Sequence, residues 1–460
     1  MEKRQSEVIN PRWYNKTMSG NRNKGTAPVK TGLVCAGGGS KGSYAIGVCK
    51  ALDQAGRHFD VISGTSIGAL VGAMMVQRDL SQAIAFGSQI SPEGIAKNLF
   101  VFPDRYETKA LKPEEKNAFF EMFCKDGPSI EPLREGFAKV FDYERFQASP
   151  TQFACMTYNV TQSRPAPFYK DEMKPENTLD ILMASCAYFP AFNMVRIGDN
   201  YHADGGWSSN VPWPLALQMG AQELTIISLY DPEEIEEEWP EAARMVFRPI
   251  LKLGYVLDFR QAVMQRQIVQ GYLEGLKYLN LAPGYLYTFY REDWFLIRIL
   301  ETLADRFLRD AMKDLTDEVL EECWQALLGY VPAPLKNRYM EHYRIGRVLE
   351  ILALSAQVDP YQQYHFLSFI GQLLNNLNHF QTRFDPDQTD DPARSMLQAG
   401  LEDMLVFFHS ALVSYDGKLP ESFNVFKSVY ILPYYLGLGW YFIEKYGGFL
   451  FLRKTAPEEA

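Results

Sequence analysis

The sequence has little cysteine: six residues in 460, at 35, 49, 124, 155, 186 and 323, with no C-x-x-C pair and no metal-ligand spacing. That pattern excludes a disulfide framework and gives no reason to expect zinc or another metal, so the thiols read as reduced and mostly buried. Positive charge is also short. The net charge is −10, which argues against a whole-chain nucleic-acid binder, because such a protein needs a basic stripe to meet phosphates. Long apolar runs are missing too. Ser428 to Ile443 carries no charge over 16 residues, but it is interrupted by Pro433, Gly437 and Gly439 and falls short of the roughly 20 residues a spanning helix needs. No secretory signal pattern heads the chain. The expectation is a cytoplasmic protein or one lying peripherally on a membrane, with no cofactor.

What is present is an ordinary globular balance, 47% hydrophobic and 22% charged, sufficient for two or three domains. Residues 1–30 carry seven Lys or Arg against two Glu and read as a flexible basic arm, with a weak tether to anionic lipid as the sharper reading. From 31 to 230, short apolar runs alternate with helical patterns, the signature of α/β architecture. Strands are expected at Leu33–Ala36, Phe59–Ser63, Phe153–Met156 and Leu224–Leu229. Helices are expected at 43–55, from about 65 through Met75, at 79–98 and at 131–141. A run from Asp231 to Glu238 with six acids in eight residues reads as a solvated domain boundary. Residues 231–460 then read as mainly helical: Ile250, Leu253 and Leu257 share one helical face, and Phe366, Ile370, Leu373 and Leu377 another. The acidic stretch Asp385–Pro392 reads as a linker. The aromatic stretch 429–452 reads as a core helix, with membrane docking through its rings and Arg453 and Lys454 as the alternative.

Three glycine-bearing segments carry chemistry. Gly64-Thr65-Ser66-Ile67-Gly68 lies between an expected strand and an expected helix. A tight strand-to-helix turn needs small neighbours, lifts the serine hydroxyl clear and aims a helix N-terminus at the reacting centre. A serine N-cap after a glycine turn has the same letters. Gly37-Gly38-Gly39-Ser40-Lys41-Gly42 reads either as a dinucleotide G-x-G-x-x-G with Asp60 as ribose partner or as a nest of amides for an oxyanion. Asp204-Gly205-Gly206 offers a base for the serine, and is also a plain turn sequence.

In this order the three segments resemble the patatin-like phospholipase family over residues 31–230. Ala184-Ser185-Cys186-Ala187, Phe189-Pro190, Asn210 and Pro212 support the resemblance, and Ala36 stands where the family often has an acidic residue. The resemblance implies a three-layer α/β sandwich with a mostly parallel central sheet. It also implies a Ser66–Asp204 dyad, an oxyanion hole drawn from Gly37, Gly38, Gly39, Lys41 and Gly42, an elbow flanked by Gly64 and Gly68, and a lipid ester as substrate. Lys41 is expected to orient the loop or meet a phosphate, with a solvated lysine as the equal alternative. The competing functions are a nucleotide-binding enzyme, a Ser–His–Asp hydrolase and a non-catalytic lipid-binding protein. Of the histidines at 58, 202, 342, 365, 379 and 409, His202 is the nearest rival base, two residues from Asp204. Oligomeric state is not legible.

Overall fold

A computed structural model describes residues 29–103, 111–124, 128–234, 238–335, 337–380 and 400–447. Most of the basic arm, the acidic loop at 385–392, the tail from 448 with Arg453 and Lys454, and the Cys124 side chain lie outside the described residues.

An eight-stranded mixed sheet forms the centre. Its strands are β1 (Thr31–Cys35), β2 (Val61–Thr65), β3 (Gln152–Asn159), β4 (Arg164–Tyr169), β5 (Val195–Ile197), β6 (Asn200–Asp204), β7 (Glu223–Ile227) and β8 (Ala243–Phe247). The path β3-β2-β1-β7-β8 is parallel throughout. The inner strands β1, β2, β3 and β7 are mostly buried, as expected where both faces of a parallel sheet are covered, whereas the edge strand β8 carries the exposed Arg244. Gly32 of β1 faces Ala216 and Ala221, while Ile62 and Phe153 on the other face meet Gly72 of the helix Ile67–Val76. Helices therefore cover both faces, and the three-layer expectation holds. The antiparallel strands β4, β5 and β6 make the sheet mixed.

The four expected strands and the first two helices, α1 (Gly42–Gln54) and α2 (Ile67–Val76), are present within two residues or so. The helix expected over 79–98 is divided into Leu80–Gln89 and Pro92–Ile95. Pro92 explains the break, because it removes an amide donor and biases Ser91 toward an extended backbone.

The sheet and its core continue past the acidic run. β8 follows it, and the helix Gln261–Tyr278 packs on α1. Gly47 and Gly271 allow that contact: a Cβ on either would strike the other helix's backbone. Leu253, Leu257 and Phe259 belong to the same core as β1 and β2, whereas Ile250 and Leu251 belong to a second core built from the C-terminal helices. Ile250, Leu253 and Leu257 are buried as their spacing suggests, but not on a helix. Pro249 and Gly254, the latter at φ 94°, break the pattern, and residues 249–260 form an irregular strap between the two cores.

The C-terminal region is mainly helical, including Trp294–Phe307, Ile345–Ser355, Phe366–Leu377, Leu401–Ser414 and Ile431–Tyr446. Leu432 through Ile443 are buried in its core, as expected of a core helix, while Val429 at the start of the aromatic stretch is exposed. Among the described residues no helix is long and apolar enough to cross a membrane. Cys35, Cys49, Cys155, Cys186 and Cys323 are free and buried.

Candidate active site

The sheet topology brings Ser66 and Asp204 together. β2 pairs in parallel with residues 152–156 of β3 and ends at Thr65 opposite Met156. β6 pairs antiparallel with residues 157–159 and ends at Asp204 opposite Thr157. β4 occupies the other edge of β3 along residues 154–159. Two strands running toward each other along one edge thus stop at neighbouring positions, and the residues at their ends face one another. The Ser66 side chain lies beside the Asp204 carboxylate and favours its charged form, and both line the same cavity.

Ser66 is held in a left-handed turn, φ 55° and ψ −133°, as the N-cap of α2. A non-glycine residue there stores about 1–3 kcal/mol of strain, which the surroundings must offset. The turn is fastened by Ser185, whose hydroxyl accepts the Ser66 N–H at 2.8 Å and donates to the Met156 carbonyl at 2.7 Å. Gly64 and Gly68 are required by close packing: a Cβ on Gly64 would strike the backbone of Gly68, and one on Gly68 the carbonyls of Cys35 and Ala36. Gly205 likewise lets the loop after Asp204 press onto the Met156 carbonyl.

Asp204 is 3% exposed. Burial pushes its carboxyl up to about 6, against the Ser66 side chain and the hydrogen bond from the Gly206 N–H, the latter at 2.7 Å. A carboxylate with a pKa nearer neutrality is a stronger base than an ordinary one.

The glycine block lies beside this pair. The Gly37 N–H is committed to the Asn210 carbonyl at 3.0 Å, and Asn210 Nδ2 donates to the Gly37 carbonyl at 3.3 Å. The Ser40 and Lys41 amides donate to Val256 and Gly38 carbonyls, and the Gly42 amide to the carbonyls of Gly39 and Ser40. Among the described residues this leaves the Gly38 and Gly39 amides without a protein acceptor. Gly39 sits at φ 53°, and a Cβ there would strike the Val256 carbonyl. Lys41 is buried rather than solvated, its Nζ 2.9 Å from Asp231 Oδ2.

Ser66, Asp204, Gly38, Gly39 and Lys41 line one cavity of about 390 Å³. Its remaining wall includes Ile67, Ile95, Leu133, Phe192, Leu229 and Leu257, with the exposed rings of Tyr188 and Trp207 also on its lining. No histidine lines it among the described residues. His202 is buried elsewhere on β6, with Nδ1 2.9 Å from Thr157 Oγ1 and its ring against Phe168, and burial lowers its pKa. Asp60 lies at the opposite end of the sheet, where Oδ2 accepts the Thr31 N–H at 2.8 Å. A ribose partner would have to sit at the carboxyl end, beside the glycines, so the dinucleotide constellation is not assembled.

Several wall and anchor residues had no sequence signal pointing to the site: Tyr230, Val256, Leu257 and Phe259 lie beyond the three motifs, and Ile95 and Leu133 fall in the long insertion after β2.

The fold and the site define an α/β unit with a strained serine at a strand-to-helix elbow, a buried carboxylate beside it and, on the same cavity, two glycines whose amides have no protein acceptor among the described residues. Residues 33–217 match the model of the patatin-like phospholipase family, so the resemblance carried by the motifs is shown for that stretch. The lysophospholipase NTE1 of Coccidioides immitis (strain RS) is 32% identical over 133 residues, which is 29% of this chain and 8% of that protein. Lysophospholipase NTE1 of Mycosarcoma maydis is 26% identical over 218 residues, 46% of this chain and 10% of the relative. The chain therefore spans about a tenth or less of the length of these relatives. Among solved structures, VipD from Legionella pneumophila aligns over 90% of this chain and 92% of its own, at 11% identity and a TM-score of 0.34. Full-length ExoU from Pseudomonas aeruginosa, in complex with SpcU, aligns over 93% and 90%, at 14% identity and a TM-score of 0.28.

Proposed function

We propose that the protein is a serine acyl hydrolase that cleaves fatty-acyl esters of phospholipids or lysophospholipids through Ser66 and Asp204. The observation that carries this reading is the placement of Ser66, on its strained elbow, beside a buried carboxylate in one apolar-walled cavity. The match to the phospholipase family over residues 33–217 and the lysophospholipase relatives support the substrate class.

In this mechanism Asp204 accepts the hydroxyl proton as Ser66 Oγ bonds to the ester carbonyl carbon. The carbonyl oxygen becomes an oxyanion facing the Gly38 and Gly39 amides, each such donor contributing roughly 3–4 kcal/mol in comparable sites. The N-terminus of α2 adds a favourable field. The bond to the alcohol breaks, and the departing oxygen takes the proton from Asp204. Water then attacks the acyl-Ser66 carbonyl, giving its proton to Asp204. The fatty acid leaves as Ser66 recovers a hydrogen. Of the candidates Gly37, Lys41 and Gly42, the first is assigned to shaping the loop through Asn210, the second to anchoring it, and the third to close packing against Ile67. The apolar wall takes the acyl chain, and the cavity volume is within the usual range for small-ligand sites.

The test is incubation with a fluorophosphonate and, separately, with lysophosphatidylcholine micelles. Wild type should become labelled on Ser66 and release fatty acid, and Ser66→Ala should do neither. Failure of the folded wild type to react with either would leave the non-catalytic lipid-binding reading in its place.

A further inference from the structure

The acidic run after β7 reads from sequence as a solvated boundary, yet its first residue is buried and doubly engaged. Asp231 Oδ2 lies 2.9 Å from Lys41 Nζ in the glycine block, and Asp231 Oδ1 accepts the Leu253 N–H at 2.8 Å in the strap. One carboxylate thus joins two segments of backbone, both of which touch the cavity.

The strap side of this junction is itself fixed. The Ile250 N–H donates to Glu274 Oε2 at 2.8 Å, Gln267 Nε2 donates to the Leu253 carbonyl at 2.8 Å, and Gln270 Nε2 to the Leu251 carbonyl at 2.7 Å. All three side chains belong to the helix Gln261–Tyr278. From the strap, the Val256 carbonyl accepts the Ser40 N–H at 2.9 Å and the Tyr255 carbonyl accepts the Ser40 hydroxyl at 3.1 Å. The loop that presents the Gly38 and Gly39 amides is therefore gripped at Ser40 by strap carbonyls and at Lys41 by Asp231.

We propose that Asp231 is a positioning residue for the oxyanion hole: through Lys41 and the Leu253 amide it sets the Gly38 and Gly39 amides relative to Ser66. This rests on the Ser66 reading above. Donor placement matters steeply, since a displacement of about 1 Å at a reacting centre can cost ~10²-fold in rate. Buried charge pairs are also sensitive to loss of one partner, because the other charge is left uncompensated. Lys41 also has Glu234 at 3.7 Å, but that carboxylate is farther away and nearly half exposed, and makes the weaker claim.

The experiment compares wild type, Asp231→Asn, Asp231→Glu and, as a control in the same acidic run, Glu233→Gln, whose carboxylate is half-exposed and paired with Lys252. Asp231→Asn keeps an acceptor for Leu253 and removes the charge facing Lys41. The readouts are kcat and KM on lysophosphatidylcholine per mole of folded enzyme, the rate of fluorophosphonate inactivation, and the unfolding temperature. Expected for Asp231→Asn is a fall of ~10–100-fold in kcat and a parallel fall in inactivation rate, with KM within about 2-fold and Glu233→Gln like wild type. A lowered unfolding temperature with unchanged kcat per folded molecule would overturn the proposal, leaving Asp231 a purely structural residue. If Asp231→Asn does not fold, Asp231→Glu decides: a kcat fall with KM unchanged supports the positioning role, and wild-type kcat contradicts it. Failure of the Ser66 reading is separately visible, because wild type itself would then neither turn over nor label.

Discussion

Thr65 and Asp204 end their strands opposite consecutive residues of one neighbour, Met156 and Thr157, and approach that point from opposite directions. This arrangement sets Ser66, one residue beyond Thr65, against the Asp204 carboxylate. A parallel strand and an antiparallel strand sharing an edge of β3 are what it requires, so the mixed character of the sheet is part of the site.

In the proposed mechanism the pH dependence of the reaction follows from the burial of Asp204. The base must be ionised to accept the Ser66 proton, and burial places its pKa at about 6. With a non-ionising ester, kcat/KM should rise with pH through about 6 and level above it. A midpoint near the ordinary aspartate value would show that the carboxylate is solvated in the working enzyme.

The same shift makes Asp204 a stability cost. Its folded-state pKa is raised above its ordinary value of 3.8, so between those values the folded form holds the proton more tightly and stability falls as pH rises. Asp204→Asn should therefore raise unfolding free energy by about 1–3 kcal/mol at pH 8. The gain should vanish below the ordinary aspartate pKa. Denaturant unfolding at both pH values checks this, and a loss of stability at pH 8 would contradict it.

The elbow strain can be read from a pair of Ser66 variants. Ser66→Gly relieves the left-handed backbone at φ 55°, whereas Ser66→Ala retains it. The glycine variant should be more stable by about 1 kcal/mol despite glycine's greater unfolded-state entropy. Equal stability would mean that the turn is not strained.

Much of this was legible because each motif sits where the chain must turn at a strand end. Ser66 and Asp204 carry recognisable neighbours, and the four inner parallel strands were legible as apolar runs, whereas the edge strand β8, with Arg244 within it, was not. Less legible was anything depending on distant partners. Asp231 stands in a run of acids that looks solvated, and nothing local shows Lys41 beside it, 190 residues away. The spacing of Ile250, Leu253 and Leu257 reports burial correctly, but periodicity cannot tell a buried helix from a strap whose amides are satisfied by Glu274 and Asp231. Ser185 was visible only as a supporting match, because its work is done through the Ser66 amide.

That role makes Ser185→Ala informative. Removing the hydroxyl leaves the Ser66 N–H and the Met156 carbonyl without their partner in a buried place, at a cost of about 1–3 kcal/mol in stability. The elbow should also loosen, lowering kcat ~10–100-fold with little change in KM. Steady-state kinetics beside thermal unfolding separates the two effects; wild-type kcat would mean that the elbow holds its shape without Ser185.

The acyl-chain assignment predicts a change of selectivity. Leu133 is buried in the cavity wall, and Leu133→Trp should reduce kcat/KM for a palmitoyl ester by ~10-fold or more relative to a butyryl ester. An equal effect on both esters would place the chain elsewhere.

The central claim is that Asp204, and not a histidine, serves Ser66. It is tested most directly by measuring lysophospholipid hydrolysis by wild type, Asp204→Asn and His202→Ala at equal concentrations of folded protein. The expected result is a loss of ~10³-fold or more for Asp204→Asn and activity within about 3-fold of wild type for His202→Ala. The reverse ranking, with Asp204→Asn active and His202→Ala dead, would contradict the account.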